Sequence, residues 1–160
     1  MEIKTVALIG AGAVGCYFVA GLKKKSGENL WVIAEGERKE RLEREGLWIN
    51  GQQFFPCVKA PEEAVGADLI LVSVKYGGLE QILPWIETMT DSHTVVMSLL
   101  NGVDSEEIIG KRIGMEHMVY SLMKIASQRT GNQIRYDPEK TAGVFFGEKD
   151  CCVSERVKAL

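Results

Sequence analysis

The sequence predicts an α/β fold in which one domain is built around a mostly parallel, doubly wound sheet with an additional β-hairpin. The first observation is that short apolar runs, typical of strands buried on both faces, alternate along the chain with segments of helical periodicity. The second is the composition. With 46% hydrophobic and 26% charged residues, the 160-residue chain has the balance of an ordinary globular domain.

Apolar runs and helical spacings define the elements in order. Strands are predicted at residues 5–9, 30–33, 69–74 and 94–99, and helices at 13–25, 37–45, 79–89 and from Ser105 onward. The helix at 13–25 has an apolar face composed of Val14, Tyr17, Phe18, Gly21 and Leu22. The helix at 79–89 carries an apolar stripe, and Pro84 within it weakens that prediction.

Turn residues predict the remaining local structure. Asn50-Gly51, between the segments 47–49 and 52–55, is typical of a type I′ β-hairpin. Residues 61–64 are predicted to form one short helical turn. Further strands are predicted at 118–125, 133–136 and 144–146, with a hairpin turn at Gly131-Asn132 joining the first two. Ser154 is expected to cap a last helix that starts at Glu155.

Charge and composition exclude several classes of function. A net charge of −3 argues against nucleic acid or an anionic membrane surface as partner. No apolar run is long enough for a transmembrane helix, and the N-terminus lacks a signal-peptide pattern, so we expect a cytoplasmic protein. The four cysteines have no paired spacing and are expected to be reduced thiols, and neither His93 nor His117 has a metal-ligand companion.

A glycine motif follows the first predicted strand and matches the dinucleotide fingerprint G-x-G-x-x-G; it consists of Gly10, Ala11, Gly12, Ala13, Val14 and Gly15. Its context is also the expected one, because a buried strand precedes it, a helix opens within it and a second strand follows. The first glycine permits the tight turn, the second lets a pyrophosphate approach the backbone, and the third permits close packing of helix on strand. The sequence therefore predicts a Rossmann-type dinucleotide-binding domain.

The tip of the second strand bears on the choice between NAD and NADP. Glu35 follows Gly15 at the distance of about 20 residues where the fingerprint expects an acidic residue. A carboxylate there accepts hydrogen bonds from ribose hydroxyls and repels the 2′-phosphate of NADP. The sequence therefore favours NAD(H), although Arg38 and Lys39 could partly offset the repulsion.

Two polar residues follow later strands at the edge of the sheet where ligands bind in such folds. Lys75 comes after the strand at 69–74, and Asn101-Gly102 comes after the strand at 94–99. Either side chain could hydrogen-bond a ribose, a carboxylate or a carbonyl, and either could equally be an ordinary surface residue.

Taken together, these residues resemble the ketopantoate reductase (2-dehydropantoate 2-reductase) family over nearly the whole chain. The resemblance is carried by the glycine motif, Val72-Ser73-Val74-Lys75, Leu100-Asn101-Gly102, the Gly46-Leu47 step and the segment 126–132, which ends in Arg129-Thr130-Gly131-Asn132. The order of the Lys75 and Asn101 loops is more specific than the glycine motif, which many dehydrogenases share.

The resemblance implies an oxidoreductase that reduces ketopantoate, a 2-oxo acid, to pantoate with NADPH, on the route to pantothenate and coenzyme A. It implies that Lys75 and Asn101 contact the cofactor ribose and the substrate, and that Ala126 lines the cofactor cleft. Members that use NADPH usually carry an arginine at the strand tip where this chain has Glu35. That difference leaves the choice between NADP and NAD open.

The resemblance also implies that the family's catalytic lysine and a substrate-binding carboxylate lie in a helical C-terminal domain that is absent from this chain. Residues 1–160 then form the NAD(P)-binding N-terminal domain alone, with no catalytic residue of their own. Tyr76 is a candidate acid but is expected rather to pack. We expect dinucleotide binding with little or no turnover, and self-association through apolar surface left uncovered.

Three other functions fit parts of the same pattern. A non-enzymatic NAD(H)-sensing regulatory domain also combines a glycine-rich loop with an acidic strand tip in a chain of this size. Another β-hydroxyacid dehydrogenase relative would share the first domain and act on a different substrate. A methyltransferase-like fold suits the glycine spacing less well.

Overall fold

The computed structural model describes residues 2–102 and 104–160, with the side chains of residues 23–26 and 28 excepted. The strands are β1 Val6–Ile9, β2 Leu30–Ile33, β3 Leu47–Ile49, β4 Gln52–Phe54, β5 Cys57–Lys59, β6 Leu69–Val72, β7 Val95–Ser98, β8 Met118–Lys124, β9 Ser127–Thr130, β10 Gln133–Tyr136 and β11 Gly143–Gly147. The helices are α1 Gly15–Ser26, α2 Gly36–Glu45, α3 Leu79–Met89, α4 Ser105–Ile113 and α5 Glu155–Ala159. Short 3-10 turns lie at Gly27–Asn29, Pro61–Ala64, Tyr76–Gly78, Met115–His117 and Pro138–Lys140.

The main sheet has seven strands in the order β11-β8-β7-β6-β1-β2-β5. All neighbouring pairs are parallel except β8 with β11. Strand β1 pairs with β2 on one side and with β6 on the other, so the strand order reverses at β1. This is the doubly wound arrangement of Rossmann-type folds, and it confirms the predicted fold class.

The central strand β1 is buried on both faces, as its apolar run predicts. Val6 and Leu8 belong to one hydrophobic cluster, and Ala7 and Ile9 belong to a second cluster on the opposite face. All four side chains are at most 5% exposed. Because successive strand residues point to opposite faces, this one strand anchors both layers of the core.

Helix α3 covers the second face of the sheet. Its predicted stripe is buried throughout and consists of Leu79, Ile82, Leu83, Ile86 and Met89. Burying each large side chain contributes about 1.5–3 kcal/mol. Pro84 lies inside the helix on its exposed side, where the carbonyl left without a backbone donor can bond to water.

Helix α1 differs from the prediction in its start and in its buried face. It begins at Gly15 rather than Ala13, because residues 11–14 complete the turn from β1. Cys16, Phe18 and Val19 are buried, whereas Gly21 is exposed. The apolar face is therefore rotated from the predicted one.

A second sheet has four strands in the order β4-β3-β10-β9. The predicted hairpin is confirmed, since β3 and β4 pair antiparallel through Asn50 (φ 48°) and Gly51 (φ 80°). Strand β10 runs parallel to β3. Ile49 and Ile134 of this sheet join the same hydrophobic cluster as α1, which fixes the small sheet beside the main one.

The predicted pairing beyond residue 118 is wrong. The turn at Gly131-Asn132 joins β10 to β9, not to β8, and β8 pairs instead with β11. Strand β9 has the sequence Ser-Gln-Arg-Thr, which lacks apolar alternation and so gave no strand signal. The sequence does not predict the edge strand β5 either, because three residues are too few to show an alternating pattern.

In the described part of the chain, no helix is both long and apolar enough to span a membrane.

Candidate dinucleotide site

A cleft of about 1000 Å³ opens at the carboxyl edge of the main sheet, beside the ends of β1, β2, β6 and β7. This is the switch point at which open α/β sheets bind their ligands. Among the predicted site residues, the lining includes Gly10, Gly12, Ala13, Val14, Lys75 and Asn101. The apolar part of the lining includes Ile9, Ile33, Val74, Ile82, Trp85, Leu99 and Leu100.

The glycine loop, residues 10–15, has the backbone geometry that the fingerprint requires. Gly10 adopts a φ of +97°, and a Cβ there would lie 2.8 Å from the carbonyl oxygen of Ser73. A Cβ on Gly15 would overlap the carbonyl oxygen of Gly10. These two glycines are thus required by the tight turn and by the close approach of α1 to β1.

Gly12 has a different environment. A Cβ at Gly12 would meet no atom within 4 Å, because the residue faces the open cleft. Its small size is therefore not explained by packing within the chain. An open approach to backbone N–H groups at the start of a helix is what a pyrophosphate needs, so the residues present fit a dinucleotide.

Ser73 fastens the glycine loop to the neighbouring strand. Its backbone N–H donates to the carbonyl of Ile9 at 2.8 Å, and its hydroxyl donates to the carbonyl of Gly10. The loop is therefore held from the β6 side as well as by its own turn. Sequence reasoning placed Ser73 at a strand end but did not find this role, which depends on the β1–β6 pairing.

Lys75 and Asn101 lie on the same lining of the cleft and are both exposed, as is Tyr76 beside them. Beneath the Asn101 turn, a buried chain of hydrogen bonds runs from the Ser98 hydroxyl to that of Ser105 (2.8 Å) and on to the Glu106 carboxylate (2.9 Å). Glu106 is only 5% exposed. The Ser98 hydroxyl also accepts from the backbone N–H of Leu100 at 3.5 Å, which links this network to the start of the turn, and no sequence motif predicts it.

Four of the predicted site residues are absent from the cleft lining: Ala11 lines a neighbouring pocket, and Gly15, Glu35 and Ala126 line neither space. Glu35 is exposed at the residue before α2, its side chain makes no capping hydrogen bond, and it is absent from the cleft lining. Ala126 borders a separate shallow pocket with Gln128, Arg135 and Tyr136. Their contact with a cofactor stays a prediction.

Three arginines that sequence reasoning did not bring together meet beside the cleft. Arg38 and Arg129 line the cleft itself, and both also line a neighbouring pocket of about 250 Å³ together with Arg41. Burial, and then the positive charges of Arg129 and Arg41, lower the pKa of Arg38. Lys39, by contrast, is engaged in an ion pair with Glu63 at 2.7 Å.

Comparison with known proteins identifies the family. The sequence model described as "Ketopantoate reductase PanE/ApbA" matches residues 6–148, which is most of the chain. The chain belongs to the ketopantoate reductase family. Relatives of this family include a 2-dehydropantoate 2-reductase from Archaeoglobus fulgidus, 32% identical over 115 residues, covering 69% of this chain and 37% of the relative.

Solved structures of similar fold agree with the family. A 2-dehydropantoate 2-reductase from Geobacter metallireducens is 26% identical with a TM-score of 0.77, covering 96% of this chain and 52% of that one. A D-mandelate dehydrogenase solved with NADH and anilino(oxo)acetate is 27% identical with a TM-score of 0.72, covering 83% and 45%. The chain thus spans about half or less of the length of these similar proteins, and the family to which it belongs is one of oxidoreductases.

Proposed function

We propose that this chain is the nicotinamide-dinucleotide-binding part of an oxidoreductase that reduces the 2-oxo group of ketopantoate (2-dehydropantoate), or of a similar 2-oxo acid, to a hydroxyl group. The observation that carries the proposal is the open face of Gly12, within a cleft of about 1000 Å³ at the switch point of the sheet. The bound coenzyme would supply the hydride, and the chain's own residues would bind and orient. Family membership favours this function over a nucleotide-sensing domain.

The glycine loop would bind the pyrophosphate. Backbone N–H groups of the glycine loop ahead of Cys16 lie at the positive end of α1, so they suit a diphosphate without a lysine. The N–H groups of Cys16 and Tyr17 already donate to the carbonyls of Gly12 and Val14. The contacting residues in this proposal are those of the motif: Gly10, Ala11, Gly12, Ala13, Val14 and Gly15. Gly10 and Gly15 would act by shaping the loop, and Gly12 by leaving room for the ligand.

Lys75 and Asn101 would serve the reacting end of the site. Both are exposed on the cleft lining and can donate hydrogen bonds to a ribose hydroxyl, a carboxylate or a carbonyl. The positive charge of Lys75 suits the carboxylate of a 2-oxo acid. Glu35 would accept from the adenosine ribose and by its charge alone favours NAD(H), and Ala126 would border the bound cofactor.

The chain alone would bind coenzyme with little turnover. Hydride transfer needs the carbonyl fixed near the coenzyme and a donor for the developing alkoxide. Among the residues that the structure describes, the ionisable donors at this end of the cleft are Lys75 and Tyr76. Both are exposed, and neither side chain makes a hydrogen bond or ion pair that would orient it. The fixed donor would come from the further part that the longer relatives have.

Exposed apolar side chains offer a surface for such a part or for a second copy. Leu122, Phe145 and Phe146 on the β8–β11 edge and Val153 after it are 39–67% exposed. A surface of this kind favours association.

We also propose a cytoplasmic location for this enzyme, because the family acts on a small soluble substrate.

Calorimetry with NADH and with NADPH, compared with the same titrations of Gly12→Val, tests the proposal. We expect binding of at least one coenzyme by the natural sequence and loss of it in the variant, whose fold circular dichroism would report as unchanged. A second assay follows NAD(P)H absorbance with ketopantoate present. Heat from neither coenzyme would overturn the binding proposal, and turnover at ordinary enzymatic rates by residues 1–160 would overturn the proposal that this part needs a partner.

A further inference from the structure

The loop that carries Asn101 runs from the end of β7 to the start of α4. Strand β7 ends at Ser98, and α4 begins at Ser105. Asn101 is exposed between them and lines the cleft. Since neither a helix nor a strand contains Asn101, its position depends on how the two ends of the loop are held.

Two buried serines close the base of this loop. The hydroxyl of Ser98 donates to the hydroxyl of Ser105 at 2.8 Å, so the last residue of β7 is joined to the first residue of α4. We call these two residues, each 1% exposed, the serine pair. The hydroxyl of Ser121 on β8 donates to the carbonyl of Ser98, so this end of the loop is also tied to the next strand. Holding both ends together reduces the number of conformations open to the residues between them.

Glu106 determines the direction in which the hydroxyls of the serine pair donate. Its carboxylate accepts from the Ser105 hydroxyl at 2.9 Å. A carboxylate has no hydrogen to donate, so Ser105 uses its one O–H on Glu106 and offers a lone pair to Ser98. The Ser98 oxygen is then an acceptor for the backbone N–H of Leu100 at 3.5 Å, next to Asn101. The acceptor at one end of the chain of bonds thus sets every donor along it.

The burial of Glu106 is not explained by the fold alone. Glu106 is only 5% exposed, and a buried carboxylate is unfavourable unless it is hydrogen-bonded. Its place in the first turn of α4 offsets part of this cost, because the positive end of a helix favours an anion. Glu107 is the same residue type in the same turn and is exposed. The helix terminus therefore accepts a carboxylate at the surface, and burial of Glu106 serves its bond to the serine pair.

The place of the Asn101 loop in the sheet identifies which half of a dinucleotide it would meet. With the pyrophosphate at the glycine loop after β1, the adenosine ribose lies at the carboxyl end of β2. Strands β6 and β7 lie on the other side of β1. Asn101, which follows β7, is therefore on the side of the nicotinamide half.

We propose that Glu106 is a positioning residue of the dinucleotide site: through the serine pair it holds the Asn101 loop in the conformation that meets the nicotinamide half of the coenzyme. The inference rests on the proposed function and adds to it a residue that is absent from the cleft lining. A loop that is ordered beforehand loses less conformational entropy when a ligand binds. Removal of Glu106 should therefore weaken the contacts of one half of the dinucleotide and spare those of the other.

Calorimetry with two ligands tests the inference on this chain. The first ligand is NADH or NADPH, whichever the natural sequence binds more tightly, and it reports on the whole dinucleotide. The second is ADP, which carries the adenosine and the pyrophosphate and lacks the nicotinamide half. We expect Glu106→Ala to weaken coenzyme binding about tenfold, the worth of one or two hydrogen bonds, and to leave ADP binding within about twofold.

Two further variants give the matched controls. Glu107→Ala removes the exposed carboxylate of the same helical turn and should change the binding of neither ligand. Glu106→Gln keeps an oxygen that can accept from Ser105, so it should bind coenzyme within about threefold of the natural sequence. Equal weakening of coenzyme and ADP in Glu106→Ala, or no weakening of either, would overturn the inference, as would a loss in Glu106→Gln as large as that in Glu106→Ala.

Ser98→Ala takes the place of Glu106→Ala if the latter does not fold. It opens the base of the loop but leaves the bond from Ser105 to Glu106 in place, so no buried carboxylate loses its partner. We expect the same selective loss of coenzyme binding. Unchanged coenzyme binding in a folded Ser98→Ala would overturn the inference.

Combining Glu106→Ala with Asn101→Ala locates the effect. In the Asn101→Ala background, loss of the Glu106 side chain should weaken coenzyme binding by less than about twofold, because the group that it positions is already gone. A full tenfold loss in that background would overturn the inference while leaving the proposed function standing. Failure of the natural sequence to bind either coenzyme would instead overturn the proposed function, and the inference with it.

Discussion

The hydroxyl group of Ser73 donates a hydrogen bond to the carbonyl oxygen of Gly10 across the point where the strand order of the sheet reverses. The backbone N–H of Ser73 also donates to the carbonyl oxygen of Ile9 at 2.8 Å. The residue directly after β6 thus holds two successive carbonyl groups at the end of β1. The glycine loop is thereby fixed before any ligand arrives. Preorganisation of this kind reduces the ordering cost of binding.

Replacing Ser73 by alanine should affect both the stability and the binding of coenzyme. We expect the free energy of unfolding to fall by about 1 kcal/mol, the net value of one hydrogen bond, and NAD(P)H to bind more weakly because the loop is less ordered. Urea titration and calorimetry measure the two effects. Ser92→Ala, in the exposed turn before β7 at the opposite edge of the sheet, is the control; equal behaviour of the two variants would contradict the role of Ser73.

Gly12 and Gly15 should respond in opposite ways to the same substitution. Valine at Gly15 would overlap the carbonyl of Gly10, so we expect a loss of about 1–3 kcal/mol of stability. Valine at Gly12 would enter open space, so stability should hold while coenzyme binding is lost. Thermal unfolding and calorimetry on both variants separate these effects, and a destabilised but binding-competent Gly12→Val would contradict the assignment.

The strands of the main sheet were largely predictable because burial on both faces leaves a continuous apolar run, as in β1 and β6. The glycine loop, Lys75 and Asn101 were also predictable, since each follows such a strand and so must lie at one edge of the sheet. Strand β9 was not predictable, because its Ser-Gln-Arg-Thr sequence carries no periodic signal. It pairs with β10, which pairs in turn with β3, so its place is set by tertiary neighbours.

The meeting of Arg38, Arg41 and Arg129 beside the cleft shows the same limit at the site. The sequence shows Arg38 as a charge just after the strand tip, whereas Arg41 on α2 and Arg129 on β9 are distant from each other in sequence and belong to different elements. Their meeting depends on the small sheet docking through Ile49 and Ile134. The sequence alone does not show that the three arginines meet. A coenzyme preference inferred from Glu35 alone therefore leaves out their positive charge.

Asp68 should make the fold sensitive to acid. Its carboxylate accepts hydrogen bonds from the backbone N–H groups of Lys4 (3.0 Å) and Thr5 (2.8 Å) and from the Thr5 hydroxyl (2.9 Å), and the ring of His93 lies 3.5 Å away. Burial raises the pKa of Asp68, but the bonds from Thr5 and Lys4 outweigh it and leave the pKa below its usual value. A lowered pKa means that this stabilisation is complete above the unfolded pKa of about 3.9 and is lost as pH falls through the folded value.

Asp68→Asn tests this dependence. At pH 7 we expect the variant to lose about 1.5–3 kcal/mol of stability, since hydrogen bonds to a charged group are replaced. The difference between variant and natural sequence should shrink as pH falls below about 4. Urea unfolding from pH 7 to pH 2.5 measures it, with Asp104→Asn as control because that exposed carboxylate makes no capping bond. A difference that persists undiminished at the lowest pH would rule out the charge as the cause.

Glu148 should hold the last helix, α5, against the end of β11. Its carboxylate accepts from Arg156 at 2.7 Å (Nε) and 2.6 Å (Nη2) and from the Ser154 hydroxyl at 2.6 Å, while Ser154 in turn accepts from the backbone N–H of Val157 at 3.2 Å. The Arg156 and Glu148 side chains are only 23% and 13% exposed. The bond from Arg156 is the main reason that the pKa of Glu148 lies below its usual value.

Glu148→Gln should therefore loosen α5 without unfolding the sheet. We expect a cost of about 1–3 kcal/mol that is confined to this helix, so the amide of Val157 should exchange its hydrogen about tenfold or more faster at neutral pH. Hydrogen exchange read by NMR measures this residue by residue. Glu155→Gln is the matched control, because the Glu155–Lys158 pair is exposed on both sides and worth little. If the two variants accelerated Val157 equally, or if the amides of β1 also lost protection in Glu148→Gln, the local anchoring by Glu148 would be disproved.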